Sequence, residues 1–282
     1  MKKSTLNRCG KIGFGLCTVL AAVLQSLAAL TAFDATSNYF YSDSPLPLLA
    51  TVFACLGGIC GSLAAFTGKE DSLAHSPFDA RPIPNAAAFG AIAVSLTIAT
   101  FLFLSHGNAL LAKVLAVFAV LSLGYELLCL FPRLRAETPG LVTLVGFSTV
   151  LLCVVCNAYY YFDVTVEMNA PFKVSLQMGL LAAMVYFTGE LRYLLNKPLP
   201  RLYRMLGAWV IALGALSVPA FLLAFFTRKT DRIDYLAGAV LILGICLNVC
   251  MRLLSLRFPR TPDPNAEDVS VTDTDAIGKD TV

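Results

Sequence analysis

A chain of 282 residues that is 57% hydrophobic and only 14% charged, with a mean hydropathy of +0.74, lacks the polar surface a water-soluble fold requires; soluble domains carry about 25% charged residues. A net charge of +3, with the basic residues in short clusters between apolar runs, gives nucleic acid no continuous basic face and excludes it as a partner. The lipid bilayer is the partner that composition supports, because lipid itself solvates apolar side chains.

Crossing the hydrocarbon core takes roughly 20 apolar residues in a helix. Eight segments reach that length: 12–33, 46–67, 85–105, 109–131, 140–162, 172–195, 205–226 and 235–256. The expected fold class is an all-α integral membrane protein with eight transmembrane helices, residues 1–258 forming one polytopic domain. The first segment follows Lys2, Lys3, Arg8 and Lys11, and Ala29 to Ala32 could pass for a small-residue cleavage site. Its apolar run exceeds the h-region of about 7–15 residues found in signal peptides, so it is expected to stay as a helix. The second carries Gly57 and Gly61 in a GxxxG pair, with Ala54, Gly58, Ser62 and Ala65 close by. Small residues let backbones approach, so this face is expected to pack on another helix, of this chain or of a homo- or hetero-oligomer.

A polar loop with Glu70, Asp71, His75, Asp79 and Arg81 leads to the third segment, and only Ser105 to Asn108 separate the third from the fourth. Gly107 and Asn108 suit a tight turn there. Pro219 is the only proline well inside a span, where it can kink the helix and free a carbonyl. From Pro259 the chain turns polar and acidic, with Pro262, Pro264, Glu267, Asp268, Asp273, Asp275 and Asp280. Residues 259–282 are therefore expected to be a disordered cytoplasmic tail, unable to offset ordering entropy by burial. Eight of the nine cysteines lie within apolar runs and read as small packing residues rather than a disulfide framework. Cys153 and Cys156 have a metal-site spacing but no second ligand pair.

Orientation follows from the basic residues, which favour the cytoplasmic side. With the N-terminus inside, sixteen of the 21 lysines and arginines fall in inner segments and five, Lys113, Lys173, Arg228, Lys229 and Arg232, in outer ones. Tyr39 to Tyr41 and Tyr159 to Phe162 then sit at outer interfaces, where amphipathic rings are at home. Both termini are thus expected in the cytoplasm, with the chain in the cell membrane.

Two internal echoes appear. Phe33-Asp34-Ala35-Thr36 and Phe162-Asp163-Val164-Thr165 lie 129 residues apart at equivalent outer boundaries. Segments beginning at Ser62, Glu126, Glu190 and Arg252, at the inner ends of the even helices, are spaced by 64, 64 and 62 residues. The reading is four helical hairpins grouped as two parallel four-helix repeats, 12–131 and 140–258. The plainer alternative is that leucine-rich helices with basic flanks resemble one another.

Ionisable groups inside a membrane cost about 2.5–3.5 kcal/mol at the centre, so each is a candidate site. Glu126 and Glu190 lie a few residues from their inner helix ends, about 7 Å in at 1.5 Å per residue. Arg252 holds the corresponding place in the last helix, and Arg192 lies nearby. Convergence into an interior cluster competes with independent snorkelling to the interface, which their shallow depth slightly favours. Deeper polar residues are Gln25, Asn157, Gln177 and Asn248, for which interhelical hydrogen bonding is the commoner role. His75 and His106 fall on opposite sides of the membrane and cannot share a metal, and the chain has no HExxH, GxSxG, Walker A or dinucleotide fingerprint.

No catalytic residue, metal or cofactor is thus expected. The function expected is transport or binding of a small solute within the helix bundle, the alternative being a non-transporting assembly subunit or sensor with a cytoplasmic partner. The topology is checked by cysteine labelling from each side. Positions 43, 167 and 229 should react from outside and 79, 137 and 197 from inside; labelling of 197 only from outside would overturn the assignment from the sixth helix onward.

Overall fold

The computed structural model describes residues 3–34, 37–68, 76–78, 82–106 and 109–256. The expected tail 259–282, the polar residues Glu70, Asp71, His75, Asp79 and Arg81, and the turn residues Gly107 and Asn108 lie outside the described residues. Among the described residues the protein is all-α apart from one small hairpin, and eight of the helices are long and apolar enough to cross a membrane. In chain order the spanning helices are α1 (Lys3–Thr31), α2 (Leu46–Thr67), α3 (Pro82–His106), α4 (Ala109–Cys129), α6 (Pro139–Phe162), α7 (Pro171–Leu194), α8 (Pro200–Phe226) and α9 (Ile233–Ser255). A six-residue helix, α5 (Pro132–Glu137), lies between α4 and α6. Because the spans number eight, α1 begins and α9 ends at the same end of the bundle, called here the near end.

Proline sets several of these starts. α5, α6, α7 and α8 begin at Pro132, Pro139, Pro171 and Pro200. The first turn of a helix has no use for the missing N–H, and the fixed φ suits it. α1 starts nine residues before the expected boundary at residue 12, so its first turns carry polar residues such as Asn7 and Arg8. α8 runs unbroken through Pro219.

The far end carries the departure from pure helix. β1 (Phe33–Asp34) and β2 (Tyr39–Phe40) pair antiparallel, Phe33 opposite Phe40. Asn38 adopts φ 59°, a left-handed conformation that asparagine tolerates, as the chain turns back. Phe33 and Phe40 close on Phe172 of α7, with ring centroids 4.9 Å and 5.8 Å away. The Tyr39 hydroxyl donates to Glu167 at 2.7 Å, tying the hairpin to the α6–α7 turn.

Helix packing has two parts. α3, α4, α6, α7, α8 and α9 form a ring in which each touches the next and α9 returns to α3. Three consecutive hairpins, α3–α4, α6–α7 and α8–α9, make up that ring. α1 and α2 pack on each other and on α8, outside it. Duplication of 12–131 in 140–258 is a question of superposition, and it stays a proposal; the contacts describe how the hairpins are arranged. The 64-residue spacing acquires a spatial meaning within the ring. Glu126, Glu190 and Arg252 end the second helix of each ring hairpin, whereas Ser62, on the outlying α2, accepts a hydrogen bond from Trp209 Nε1 of α8 at 3.2 Å.

The glycine face of α2 is occupied within the chain. Gly57 lies against Thr18 of α1, and a side chain at Gly61 would collide with Ala208 of α8. A Cβ at Gly58 would come within 2.6 Å of the Trp209 ring. The close approach of α1, α2 and α8 therefore depends on having no side chain there. Gly15 of α1, in contrast, has nothing within 4 Å. Gly61→Leu should destabilise the protein by about 1–3 kcal/mol through overpacking, while Gly15→Ala should leave it unchanged. Unfolding followed by the emission of Trp209, the single tryptophan, reads this directly, since the ring sits at the disturbed contact.

Candidate functional site

The buried faces of three helices lead to charge. In α4, Ala112, Leu115, Ala119 and Ser122 precede Glu126 by fourteen, eleven, seven and four residues, all on one face. In α7, Leu176, Gly179, Ala183 and Tyr186 precede Glu190 by the same intervals. In α9, Leu241, Ile245 and Asn248 precede Arg252 by eleven, seven and four. The charged residue thus continues an apolar stripe that already faces the ring interior. Glu126, Glu190 and Arg252 all have a relative exposure of 0%, so they converge and do not snorkel.

Arg252 is the hub. Its Nη2 donates to Glu126 Oε2 at 2.9 Å, its Nη1 donates to Asn85 Oδ1 of α3 at 3.1 Å, and its Nε lies 3.7 Å from Glu190 Oε1. Asn248 Nδ2 donates to the Ala88 carbonyl at 3.2 Å and to Glu126 Oε1 at 3.4 Å. Tyr125 donates to Glu190 Oε1 at 3.3 Å. Four ring helices are therefore linked through one guanidinium. Close packing of α9 on α3 permits it: a side chain at Gly244 would collide with Ser95 of α3.

Phe78 closes the near end of the cluster. Its ring lies under the Arg252 guanidinium at 4.7 Å, and Arg135 of α5 stands over it at 5.2 Å. Asn85 Nδ2 donates to the Phe78 carbonyl at 2.9 Å, and Ser255 Oγ donates to the Pro77 carbonyl at 2.9 Å. Above Glu190, the hydroxyls of Tyr186 and Tyr203 hydrogen-bond, and their rings stack with centroids 4.7 Å apart. Three polar atoms in the cluster have no hydrogen-bond partner among the described residues: Glu190 Oε2, Asn248 Oδ1 and Arg252 Nε.

Of the residues singled out in the sequence, Glu126, Glu190, Arg252 and Asn248 come together. Arg192 does not join them: it is exposed, and its Nε donates to the Lys197 carbonyl at 3.2 Å. Two helical steps of about 100° each from Glu190 to Arg192 turn it out of the ring. Asn157 is half-buried near the far end of α6, Gln177 is half-buried on α7, and Gln25 is buried in α1 outside the ring. Asn85, Tyr125 and Phe78 were missed. Helical phase would have found Tyr125, which lies on the buried face beside Glu126, while Asn85, the first residue of the expected third segment, carries no signal of its own.

A second polar group sits at the far end. Asp163 accepts hydrogen bonds from Arg232 Nη2 at 2.8 Å, the Tyr235 hydroxyl at 3.1 Å and the Thr165 backbone N–H at 2.9 Å. Burial pushes its carboxyl up, but the Thr165 hydrogen bonds and the Arg232 charge outweigh burial and hold it below the ordinary carboxylate range. That stabilisation is present above the unfolded carboxylate range and is lost as pH falls through the folded value. Lys173 is spent on the carbonyls of Asp163 and Val166, at 2.7 and 2.9 Å. Arg232 also pairs with Asp234 at 3.1 Å, so acids and bases match and the group locks the α6–α7 turn to α9.

No family model, curated protein or solved structure matches the chain. The near-end cluster is therefore the feature on which a functional reading rests.

The cluster has a measurable energetic signature. Arg252→Met strands two buried carboxyls, which should cost roughly 3–5 kcal/mol. Adding Glu126→Gln and Glu190→Gln should recover part of that loss, because amides of similar shape leave no charge unpaired. Thermal unfolding of detergent-solubilised protein, read by size-exclusion chromatography, measures both. A triple variant no more stable than Arg252→Met alone would mean that Arg252 acts through packing rather than charge.

Proposed function

We propose that this is a non-enzymatic membrane protein of the transport type, which binds and moves a small solute through the ring of α3, α4 and α6 to α9. The carrying observation is the polar capacity left at the near-end cluster. Two carboxyls and one guanidinium converge inside the bundle, with three polar atoms lacking a hydrogen-bond partner among the described residues. Purely structural ion pairs gain most when every position is satisfied. An ionisable group inside a span is a candidate functional site, and unfilled hydrogen-bond positions beside it leave capacity for a ligand. The basic-residue asymmetry supports placing the protein in the cell membrane with its near end cytoplasmic.

A second reading is favoured by a different observation. The triad is fully enclosed, and Phe78, Pro77 and Ser255 seal it. A sealed polar core fits an assembly subunit or sensor, in which the cluster fixes helix register and a cytoplasmic partner reads the near end. An oligomer in that case would have to use a face other than the glycine face of α2, which α1 and α8 occupy.

Reconstitution on solid-supported membranes separates the two. Under rapid exchange of a panel of small cationic, anionic and zwitterionic solutes, at least one should evoke a charge displacement. Glu190→Gln should abolish or strongly reduce it while the protein remains folded. If the whole panel is silent and the near end instead retains a cytoplasmic partner, the assembly reading replaces transport.

A further inference from the structure

The buried triad does not balance. One guanidinium faces two carboxyls, so with both ionised the cluster carries a net charge of −1 at 0% exposure. An unpaired charge in a low-dielectric interior is neutralised in practice, since holding it costs several kcal/mol. Among the described residues, the groups that face Glu190 supply no second cation. On α4 they are Tyr125, Glu126 and Cys129; on α8, Tyr203; on α9, Arg252; and on α7 itself, Tyr186 and Tyr193. α6 brings Gly146 against Leu191 and Tyr125, and α3 gives Asn85 to Arg252.

The two carboxyls are not equivalent. Glu126 has the 2.9 Å charge-assisted bond from Arg252 and a second donor in Asn248. Glu190 has only a 3.7 Å approach to Arg252 Nε and one hydrogen bond, from Tyr125, and its Oε2 has no partner among the described residues. Hydrogen bonds to a carboxylate stabilise its ionised form, and Glu126 holds the better set.

We infer that the triad is a proton-binding site, with Glu126 as the ionised partner of Arg252 and Glu190 as the group that carries one exchangeable proton. The proton comes from water and returns to water, with no redox step. The inference deepens the transport reading by naming the proton as the coupling ion, but it stands on the triad's geometry and can be tested without a solute. Tyr125 hydrogen-bonds Glu190, and Tyr186 lies one turn before it in α7 with its hydroxyl on that of Tyr203, so these tyrosines would relay or shield that proton.

The test uses the full chain in lipid nanodiscs. Infrared spectra at neutral pH should show the C=O stretch of an un-ionised carboxylic acid, and Glu190→Gln should remove it. Melting adds a readout that assigns the residue. The amide mimics the protonated acid without having to hold a proton against neutral solvent, so Glu190→Gln should melt at or above the wild-type temperature at neutral pH, while Glu126→Gln, which takes the tight partner from Arg252, should melt lower. The sign of the pH response is also fixed: a native acid that keeps a proton the unfolded chain has released loses stability as pH rises. From about pH 5 to 8, wild-type melting temperature should fall, and that of Glu190→Gln should fall less. Absence of the acid band from the wild type, or Glu190→Gln melting below Glu126→Gln, would overturn the assignment. A missing band alongside intact solute transport would remove the proton alone, whereas a present band with a silent solute panel would remove only the transport reading.

Discussion

The organisation of the bundle depends on the burial of Arg252. A guanidinium taken out of water must be met by opposite charge and by hydrogen-bond acceptors in a fixed planar arrangement. Glu126 on α4, Asn85 on α3 and Glu190 on α7 meet it from three other helices. Apolar contacts between leucines in lipid carry little directional information, since the lipid is as apolar as the partner helix. Arg252 supplies the direction. It fixes how far each helix can slide along the membrane normal, because a one-turn shift of about 5.4 Å would break every contact at once.

Small residues make that arrangement geometrically accessible. Gly244 lets α9 approach α3 closely enough for Asn248 to reach the Ala88 carbonyl. Gly57, Gly58 and Gly61 do the corresponding work for the α1–α2 hairpin, which seats against Trp209 and Ala208 of α8. The two far-end devices are of another kind. The hairpin of β1 and β2 closes through aromatic contacts with Phe172, and Asp163 joins the α6–α7 turn to α9 through Arg232 and Tyr235. Each end of the ring is therefore tied by polar groups, and the span between them by shape.

The Phe78 seal connects architecture to function. The Phe78 ring lies within reach of two guanidiniums and is attracted by both, and cation–π attraction strengthens where water is excluded. The ring packs on Arg252, the residue that both carboxyls of the triad approach.

Much of the fold was legible because its cause is local. Twenty apolar residues in a row, prolines at helix starts and the bias of basic residues each act through a short stretch of chain and the bilayer. Glu126, Glu190 and Arg252 stood out for the same reason: charge in an apolar run is visible without any knowledge of neighbours. Their shared fate was not visible, because snorkelling and convergence differ only in which way a helix is rotated. The face each presents was readable from the four-, seven- and eleven-residue spacing of buried neighbours, but that spacing acquires meaning only once the ring defines an inside. Asn85, Phe78 and Tyr125 were hidden altogether, since an edge residue, a loop phenylalanine and an interfacial tyrosine are ordinary until the chain folds back upon them. Sequence by itself determined the class of environment, the number of spans and the residues that must be reconciled with lipid. Tertiary structure alone decided which helices meet, because in a membrane the partner is selected by a few buried polar groups and small residues whose matches lie far along the chain, as Asn85 does, 167 residues from Arg252.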